Sequence, residues 1–273
     1  MTAGLITDFG LQDAYAAVMK AVILDRCPDA RIIDISHDIE PRNVLSAAFV
    51  LYSAWNWFPP GTVFLAVVDP GVGTGRRECI VESGGRFCVC PDNGITSLAG
   101  RMNKNSRAFR ARPEILKQLA AQKPYYAATF DGRDLFAPLA AMMLKLGRDR
   151  VCGERIEPVI VREVFSRKDS SGDGIDGYVM HLDRFGNVVT SIHVSDLDSA
   201  GAAAGREVRI QAGEAMLPEI QTVSRTYADA VPGGLLAYWG SAGFLEIAVR
   251  EGNFGYLHKV KTGNPVKLRY FHA

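Results

Sequence analysis

The first half of the chain alternates short apolar runs with stretches whose apolar positions recur every three or four residues. The apolar runs predict strands at residues 5–7, 31–35 and 63–68. The spaced positions predict helices at residues 13–26, 44–57, 113–122 and 134–146. An unbroken apolar strand such as 63–68 is typical of a sheet covered on both faces. The alternating order predicts an α/β domain with a mainly parallel sheet.

Two of these helices have apolar stripes clear enough to predict a buried face. In the first helix the stripe is Ala14, Ala17, Val18, Ala21 and Val22, with Asp13 as its N-cap. In the second helix the stripe is Val44, Ala47, Ala48, Leu51 and Trp55. Residues 78–82 and 86–90 predict a further strand pair, joined by a Ser-Gly-Gly turn.

The pattern changes after about residue 155. A polar, glycine-containing loop at 166–174 is followed by β-like segments at 177–182, 188–192, 208–211, 235–239, 244–249 and 266–270. Residues 200–205 are alanine and glycine, which indicates a flexible connection. We therefore predict two domains: an N-terminal α/β domain at 1–160 and a smaller, all-β, barrel-like domain at 161–273.

Composition narrows the class of protein. The chain has 273 residues, of which 48% are hydrophobic and 22% charged, with a formal net charge of +1. This favours a globular protein with a real core and gives no electrostatic reason to expect nucleic acid or a membrane surface as partner. The start of the chain does not resemble a secretory signal, and no apolar run reaches the ~18 residues of a membrane span. Five cysteines, without Cys-x-x-Cys, predict small buried side chains and a reducing cytoplasm.

The loop at 67–77 carries the strongest chemical signal. Asp69 follows the buried strand 63–68, and ligands of α/β sheets bind just past the carboxyl ends of strands. The glycines at 71, 73 and 75 allow a tight turn, but they match neither the dinucleotide fingerprint nor a P-loop. The alternative is a glycine-rich β-turn whose arginines, Arg76 and Arg77, are solvated.

Further polar groups follow other predicted strands. Asp8 and Asp13 flank the turn after the first strand, where a carboxylate can accept hydrogen bonds from a ribose diol, although turn and N-cap roles would also explain them. Asp131 and Asp134 lie at a strand-to-helix junction, and only Asp134 has a ready explanation as a helix cap. Asn93 belongs to a Pro-Asp-Asn-Gly turn and could also offer its amide to a base.

The second domain adds aromatic and polar candidates. Phe185 offers an aromatic face, Asp183 and Asn187 offer polar contacts, and the turn containing Ser241 could hold a carboxylate through backbone N–H groups. The five histidines are scattered without the spacing of a zinc site and are expected to be structural or solvated.

Taken together, these segments resemble the S-adenosyl-L-methionine (SAM) hydroxide adenosyltransferases, which are related to enzymes that cleave SAM with fluoride or chloride. The resemblance runs over nearly the whole chain. It rests on Ile-Thr-Asp-Phe-Gly at 6–10, Ile-Ser-His-Asp-Ile-Glu-Pro at 35–41, Val-Asp-Pro-Gly-Val-Gly-Thr at 68–74, Pro-Asp-Asn-Gly at 91–94, Phe-Asp-Gly-Arg-Asp at 130–134, Asp-Arg-Phe-Gly-Asn at 183–187 and Leu-Glu-Ile-Ala at 245–248.

The resemblance implies an α/β domain joined to a β-barrel, and a homotrimer whose sites lie between one subunit's N-domain and a neighbour's C-domain. It implies a hydrolase in which water attacks the ribose C5′ of SAM, giving adenosine and L-methionine, with no metal and no cofactor. The halogenases carry different residues at 68–74 and at Gly132, so hydroxide chemistry is expected rather than halide chemistry.

The resemblance also implies residue roles. The family's catalytic carboxylate and arginine match Asp69 and Arg76, with Arg77 as the adjacent alternative. The family's usual histidine is Asp131 here. Either Asp131 takes over, with Arg76 between two carboxylates, or the chain only binds the ligand. We favour the first reading, because every other motif is intact.

For substrate binding, the resemblance assigns a role to each part of SAM. Asp13 is assigned to the ribose hydroxyls, Phe185 to the adenine face and Asn187 to the adenine edge. Asp183 and Ser241 are assigned to the methionine amino and carboxylate groups. Asp8, Asn93 and Phe130 are expected to line the pocket.

Two other functions remain as alternatives. One is a non-catalytic protein that binds SAM or adenosine. The other ignores the resemblance and uses a cluster of loop carboxylates to hold Mg²⁺ for phosphoryl chemistry. Its ligands would come from Asp8, Asp13, Asp69, Asp131 and Asp134.

Overall fold

The structure, a computed structural model, describes residues 1–122, 129–170, 174–197, 208–213, 215–217 and 222–270. The chain divides into two compact units, Met1–Val161 and Arg162–Ala273. Within the described ranges, no helix is long and apolar enough to cross a membrane. All five cysteines are buried and free, as predicted.

The first unit combines a seven-stranded sheet with helices on both faces. Its strands are β1 (Thr2–Thr7), β2 (Arg31–Ser36), β3 (Val63–Val67), β4 (Glu78–Ser83), β5 (Arg86–Pro91), β6 (Arg107–Ala111) and β7 (Cys152–Ile156). Its helices are α1 (Tyr15–Arg26), α2 (Val44–Trp55), α3 (Ala99–Met102), α4 (Pro113–Gln122), α5 (Ala137–Leu146) and α6 (Arg148–Val151). A π-helical turn, Gly132–Phe136, precedes α5.

The sheet has the order β2-β1-β3-β5-β4-β6-β7, and it is mixed. The pairs β1–β2, β1–β3 and β3–β5 are parallel, whereas β4–β5, β4–β6 and β6–β7 are antiparallel. The prediction of a mainly parallel sheet was therefore wrong. The tight turn between β4 and β5 joins neighbouring strands, and strands joined in this way can pair only antiparallel. Strands β6 and β7 gave no recognised signal and extend the antiparallel half.

Apolar clusters on both faces of the sheet explain why every residue of β3 is buried. One cluster joins the sheet to α1, α4 and α5, and the other joins it to α2 and α3. In α2 the predicted face is confirmed, since Ala47, Ala48, Leu51 and Trp55 are buried. In α1 the predicted stripe was wrong, since Ala16, Met19 and Ile23 are buried instead. Helix α1 is apolar around most of its circumference, so its packing partners decide which face is covered.

The capping predictions also differ from the structure. Helix α1 begins after Ala14 without a side-chain cap, so Asp13 does not cap it. Asp134 lies inside the π-helical turn, and its two carboxylate oxygens accept hydrogen bonds from Arg133 at 2.6 and 2.9 Å. Asp134 therefore holds the guanidinium of Arg133 and does not cap α5.

The second unit is rich in strands. They are β8 (Arg167–Lys168), β9 (Gly174–Leu182), β10 (Val188–His193), β11 (Val208–Ala212), β12 (Ala215–Leu217), β13 (Val223–Ser224), β14 (Leu235–Trp239), β15 (Phe244–Val249) and β16 (Pro265–Tyr270). One short helix, α7 (Phe254–Leu257), follows β15. The six predicted β segments are confirmed, while the predicted connection at 200–205 lies outside the described residues.

This second sheet is nearly barrel-shaped around its own core. Its order is β12-β11-β16-β9-β10-β15-β14-β13, with β8 on β9. The first half of β9 pairs with β16 and its second half with β10, so this long strand turns the corner of the sheet.

Candidate active site

The loop after β3 is folded around one carboxylate. Asp69 Oδ1 accepts a hydrogen bond from the Gly71 N–H at 3.1 Å, which holds the turn close to the strand end. Thr74 donates its hydroxyl to the Gly71 carbonyl at 2.7 Å and closes the next turn. The loop then returns so that Arg76 Nε donates to Asp69 Oδ2 at 2.6 Å.

Arg76 joins two carboxylates that are 62 positions apart in sequence. Its Nη2 contacts Asp69 Oδ2 and also Asp131 Oδ2, the latter at 2.9 Å. The side chains are 11% exposed for Arg76, 7% for Asp69 and 15% for Asp131. Burial works to lower the pKa of Arg76, but the hydrogen bonds and charges of Asp69 and Asp131 outweigh it and raise that pKa. The guanidinium therefore keeps its positive charge between the two carboxylates.

The position of Asp131 depends on the π-helical turn that follows it. Turns of this kind are rare and occur often at functional sites. Gly132 lies under the Phe130 ring, and an added Cβ would come within 2.8 Å of Phe130 Cε2 and 3.1 Å of Met19 Sδ. A side chain at position 132 would therefore displace Phe130 and disturb the adjacent Asp131.

Asp69, Asp131 and Gly132 line a cavity of about 350 Å³ in the first unit. Its wall contains three carboxylates and three aromatic rings: Asp8, Asp69, Asp131, Phe9, Tyr15 and Phe130. Each ring contacts the other two, with centroids 5.1–5.8 Å apart. The cavity thus combines negative charge with apolar surface, which suits a ligand that is both cationic and apolar.

The two adjacent arginines have separate partners. Arg77 donates to Asp92 at 2.6 Å and to the carbonyl of Glu157 at 2.7 Å. It therefore ties β4 to the segment after β7, while Arg76 alone reaches Asp69 and Asp131. Asn93 is not among the cavity-lining residues, and its Nδ2 donates to the carbonyl of Val68 at 2.7 Å.

The two acids near the first strand also differ. Asp8 lines the cavity, and its Oδ2 accepts a hydrogen bond from the Arg42 N–H at 2.8 Å. Arg42 has φ +67°, an uncommon backbone angle for a residue other than glycine. Asp13 is exposed in the turn before α1 and is not among the cavity-lining residues.

In the second unit the structure brings Asp183 and Asn187 together. Asp183 Oδ1 accepts from the N–H groups of Phe185 and Asn187 at 2.9 and 2.8 Å, and Oδ2 accepts from Asn187 Nδ2 at 2.8 Å. Phe185 is 74% exposed, and Ser241 is also exposed. The Asp-x-x-x-Asn turn thus presents an aromatic ring to solvent on a rigid base.

Several cavity residues carried no recognised sequence signal. Phe9 and Tyr15 read as ordinary apolar positions, and nothing in the sequence marks Arg42 as a residue with positive φ. Phe136 lies 5.1 Å from Arg76 Cζ and covers its guanidinium, a contact set by the π-helical turn. Within the described parts of the chain, no three His, Cys, Asp or Glu side chains form a candidate metal site.

Comparisons with known proteins identify the family of the chain. Residues 4–151 match the SAM hydroxide adenosyltransferase N-terminal domain, and residues 177–267 match the C-terminal domain of the same family. The chain belongs to the SAM hydroxide adenosyltransferase family. It is 38% identical over 268 residues to an (R)-S-adenosyl-L-methionine hydrolase of Thermus thermophilus, covering 96% of this chain and 97% of that relative.

Two further comparisons concern a solved structure and a fluorinase. An uncharacterized conserved protein of Thermotoga maritima has the same fold, with a TM-score of 0.82, 35% identity and coverage of 98% of this chain and 100% of that one. A fluorinase of Nocardia brasiliensis is 28% identical over 294 residues, covering 97% of this chain and 95% of that relative. This SAM hydroxide adenosyltransferase family member is thus more similar to the hydrolase than to the fluorinase.

Proposed function

We propose that this protein hydrolyses S-adenosyl-L-methionine, with water attacking the ribose C5′ to give adenosine and L-methionine. The observation that carries the proposal is the Asp69–Arg76–Asp131 arrangement at the wall of the cavity. The hydrolases named among its relatives support the choice of water as nucleophile.

The proposed reaction is an in-line displacement at a carbon bearing a sulfonium. Methionine is an excellent leaving group, because the positive charge on sulfur is neutralised as the C5′–S bond breaks. The protein's task is to hold one water behind C5′ and to exclude bulk solvent. Arg76 holds Asp69 and Asp131 in place, and one of these carboxylates accepts a hydrogen bond from the attacking water and then its proton.

The cavity also supports a binding mode for the substrate. Asp8, which accepts a hydrogen bond from the Arg42 amide, is one of the three carboxylates that line the cavity, and it is suited to a ribose diol. Asp13, in the turn before α1, is proposed to bind the ribose hydroxyls, as the family resemblance implies. Phe130 bounds the water site. Asn93 donates a hydrogen bond to the backbone carbonyl of Val68 and thereby supports the loop after β3.

The remaining substrate contacts come from the second unit. We assign Phe185 to the adenine face, Asn187 to the adenine edge, and Asp183 and Ser241 to the methionine amino and carboxylate groups. The exposed ring of Phe185 on its fixed turn supports this assignment. As the family resemblance implies, the complete site would form in a homotrimer from units of neighbouring subunits. Five buried free thiols support a reducing cytoplasm as its location.

The direct test is an assay for adenosine after incubation with SAM in ¹⁸O-labelled water. The proposal expects one ¹⁸O in the 5′-hydroxyl of adenosine, and the same rate with EDTA. Release of adenine instead of adenosine, or ¹⁸O anywhere else, would contradict attack at C5′. Tight binding without turnover would favour the alternative of a binding protein.

The role of Asp131 has its own test. Asp131→Ala should reduce the rate of adenosine release by about 10²-fold or more, because the water loses a hydrogen-bond acceptor. Asp131→His restores the residue usual in the family and should recover most of the activity. Asp149→Asn is a matched control, since its side chain is 89% exposed. An unchanged rate in Asp131→Ala would remove Asp131 from the mechanism.

A further inference from the structure

The face of the second sheet opposite its core carries a row of four side chains, of which only Val189 is apolar. Direct partners in neighbouring strands point to the same face of a sheet. His181 pairs with Val189, Val189 with Glu246, and Glu246 with Tyr238. Their sequence neighbours Val188, Ile247 and Ala237 belong to the core on the opposite face. The Glu246 side chain therefore lies in this row, on the face of the sheet opposite the core.

The Glu246 carboxylate is held firmly in this row. Its Oε2 accepts a hydrogen bond from the Tyr238 hydroxyl at 2.7 Å. It packs directly on Gly240, where an added Cβ would overlap its Oε1. The turn that begins at Gly240 closes through a hydrogen bond from the Gly243 N–H to the Gly240 carbonyl and carries Ser241. Glu246 thus lies beside a residue already proposed to bind the methionine part of the substrate.

No cation pairs with this carboxylate in the part of the second unit that the structure describes. Among the described residues, neither Glu246 nor Asp183 takes part in an ion pair. Burial and the negative charge of Asp183 raise the pKa of Glu246, against the hydrogen bond from Tyr238. Burial lowers the pKa of His181, so this neighbour supplies no positive charge at neutral pH. Two carboxylates that share a half-buried site favour the binding of a cation between them.

A second observation points to a ligand at the same face. Asn187 is 7% exposed, and its Oδ1 has no hydrogen-bond partner among the described residues. Its Nδ2 donates to Asp183, which places the amide against that carboxylate. A buried acceptor without a donor is costly, and a ligand with N–H groups removes the cost. Asp183, Glu246 and Asn187 therefore offer only acceptors to a ligand that must donate.

We propose that Glu246 is a further substrate-binding residue, which together with Asp183 holds the α-ammonium group of the methionine part. This inference rests on the proposed function. An ammonium group has three donors, so it can reach Glu246, Asp183 and the Ser241 hydroxyl at the same time. The Asn187 carbonyl stays available for the amino group of adenine, so both halves of the ligand meet acceptors on this face.

The test separates recognition of the two products. Glu246→Gln keeps the shape of the side chain and removes its charge. It should raise KM for SAM and Ki for L-methionine by about tenfold or more, the size of a lost charge-assisted hydrogen bond. The Kd of adenosine, measured by calorimetry, should not change. Because the ammonium is remote from C5′, kcat should change by less than about threefold. Glu163→Gln removes a charge elsewhere in the unit and serves as control.

Other outcomes overturn the inference. Equal KM and Ki values in Glu246→Gln and wild type would show that the carboxylate does not touch the ligand. Equal weakening of adenosine and methionine would show a structural role. If Glu246→Gln does not fold, Glu246→Asp, which keeps the charge on a shorter arm, should still weaken methionine alone. If the wild type releases no adenosine, the proposed function fails, while methionine binding measured by calorimetry still decides the role of Glu246.

Discussion

Replacing Arg76 by glutamine tests what the charge of Arg76 contributes to the stability of the protein and to adenosine release. Glutamine keeps hydrogen-bond donors but removes the charge that lies between Asp69 and Asp131. Both carboxylates are largely buried, and both contact the same nitrogen of Arg76. The variant therefore leaves two negative charges facing each other in a site with little access to water.

The expected effect can be estimated from Coulomb's law. Two unit charges about 5 Å apart repel by about 3 kcal/mol at an effective dielectric constant of 20. Removal of one partner from a buried ion pair typically costs about 3–5 kcal/mol. We expect Arg76→Gln to lower the free energy of unfolding by this amount at pH 8. We also expect it to abolish adenosine release, since the two repelling carboxylates lose the arginine that holds them in place for the attacking water.

The assay is urea unfolding of wild type and variant at pH 8 and pH 5, followed by tryptophan fluorescence. Trp55 is buried in the first unit, so its emission reports on this part of the chain. The native variant binds a proton more tightly than the unfolded chain does. Its stability therefore rises as the pH falls, and the deficit relative to wild type should be smaller at pH 5.

A second substitution provides the matched control. Asp131→Asn in the Arg76→Gln background removes one of the two facing charges. The double variant should be more stable than Arg76→Gln at pH 8 by about 1–3 kcal/mol, while remaining inactive. Equal stability of the single and double variants, or a deficit that does not depend on pH, would refute the electrostatic account.

Three further predictions concern other contacts. Gly132→Ala places a Cβ against Phe130, so it should cost about 1–3 kcal/mol of unfolding free energy and slow adenosine release. Arg77→Gln leaves Asp92, whose side chain is 2% exposed, without its cation; urea unfolding should show a loss of about 3–5 kcal/mol while kcat changes little. Native Glu246 holds its proton more tightly than the unfolded chain, so wild type loses stability as the pH rises through that raised pKa. The Tm of Glu246→Gln relative to wild type should therefore be higher at pH 8 than at pH 4.

These results would be informative in the negative as well. A Gly132→Ala variant with normal activity would show that Phe130 can move without disturbing Asp131. An Arg77→Gln variant that folds normally but loses activity would return the catalytic role to Arg77. A constant difference in Tm across the pH range would show that Glu246 does not titrate differently in the native and unfolded chains.

Much of the fold could be predicted because it depends on local patterns. The apolar run of β3, the stripe of α2 and the turn between β4 and β5 each specify an element from a few adjacent residues. The six β segments of the second unit follow from the same kind of signal. The direction of pairing could not be predicted in this way, because β6 and β7 join the sheet through contacts with distant strands.

The candidate site, too, could be predicted from the sequence only in part. Short sequence motifs, and the family resemblance that they carry, predicted Asp69, Arg76 and Asp131 as catalytic candidates. The choice between Arg76 and Arg77 needed the loop's three-dimensional course, since neighbouring side chains can point to different partners. The resemblance assigns Asp13 to the ribose hydroxyls, which stays a prediction, while the structure places Asp8 at the cavity wall.

The sequence by itself determined most of the elements, the family and the residue types available for chemistry, because these depend on short patterns of polarity and turn residues. Only the tertiary structure decided which charges meet. Arg76 acquires two carboxylates because a tight loop and a π-helical turn converge. Among the residues whose positions are described, the sheet neighbours of Glu246 provide it with no cation. Electrostatic energies depend on distance and burial, and neither can be read from positions along the chain.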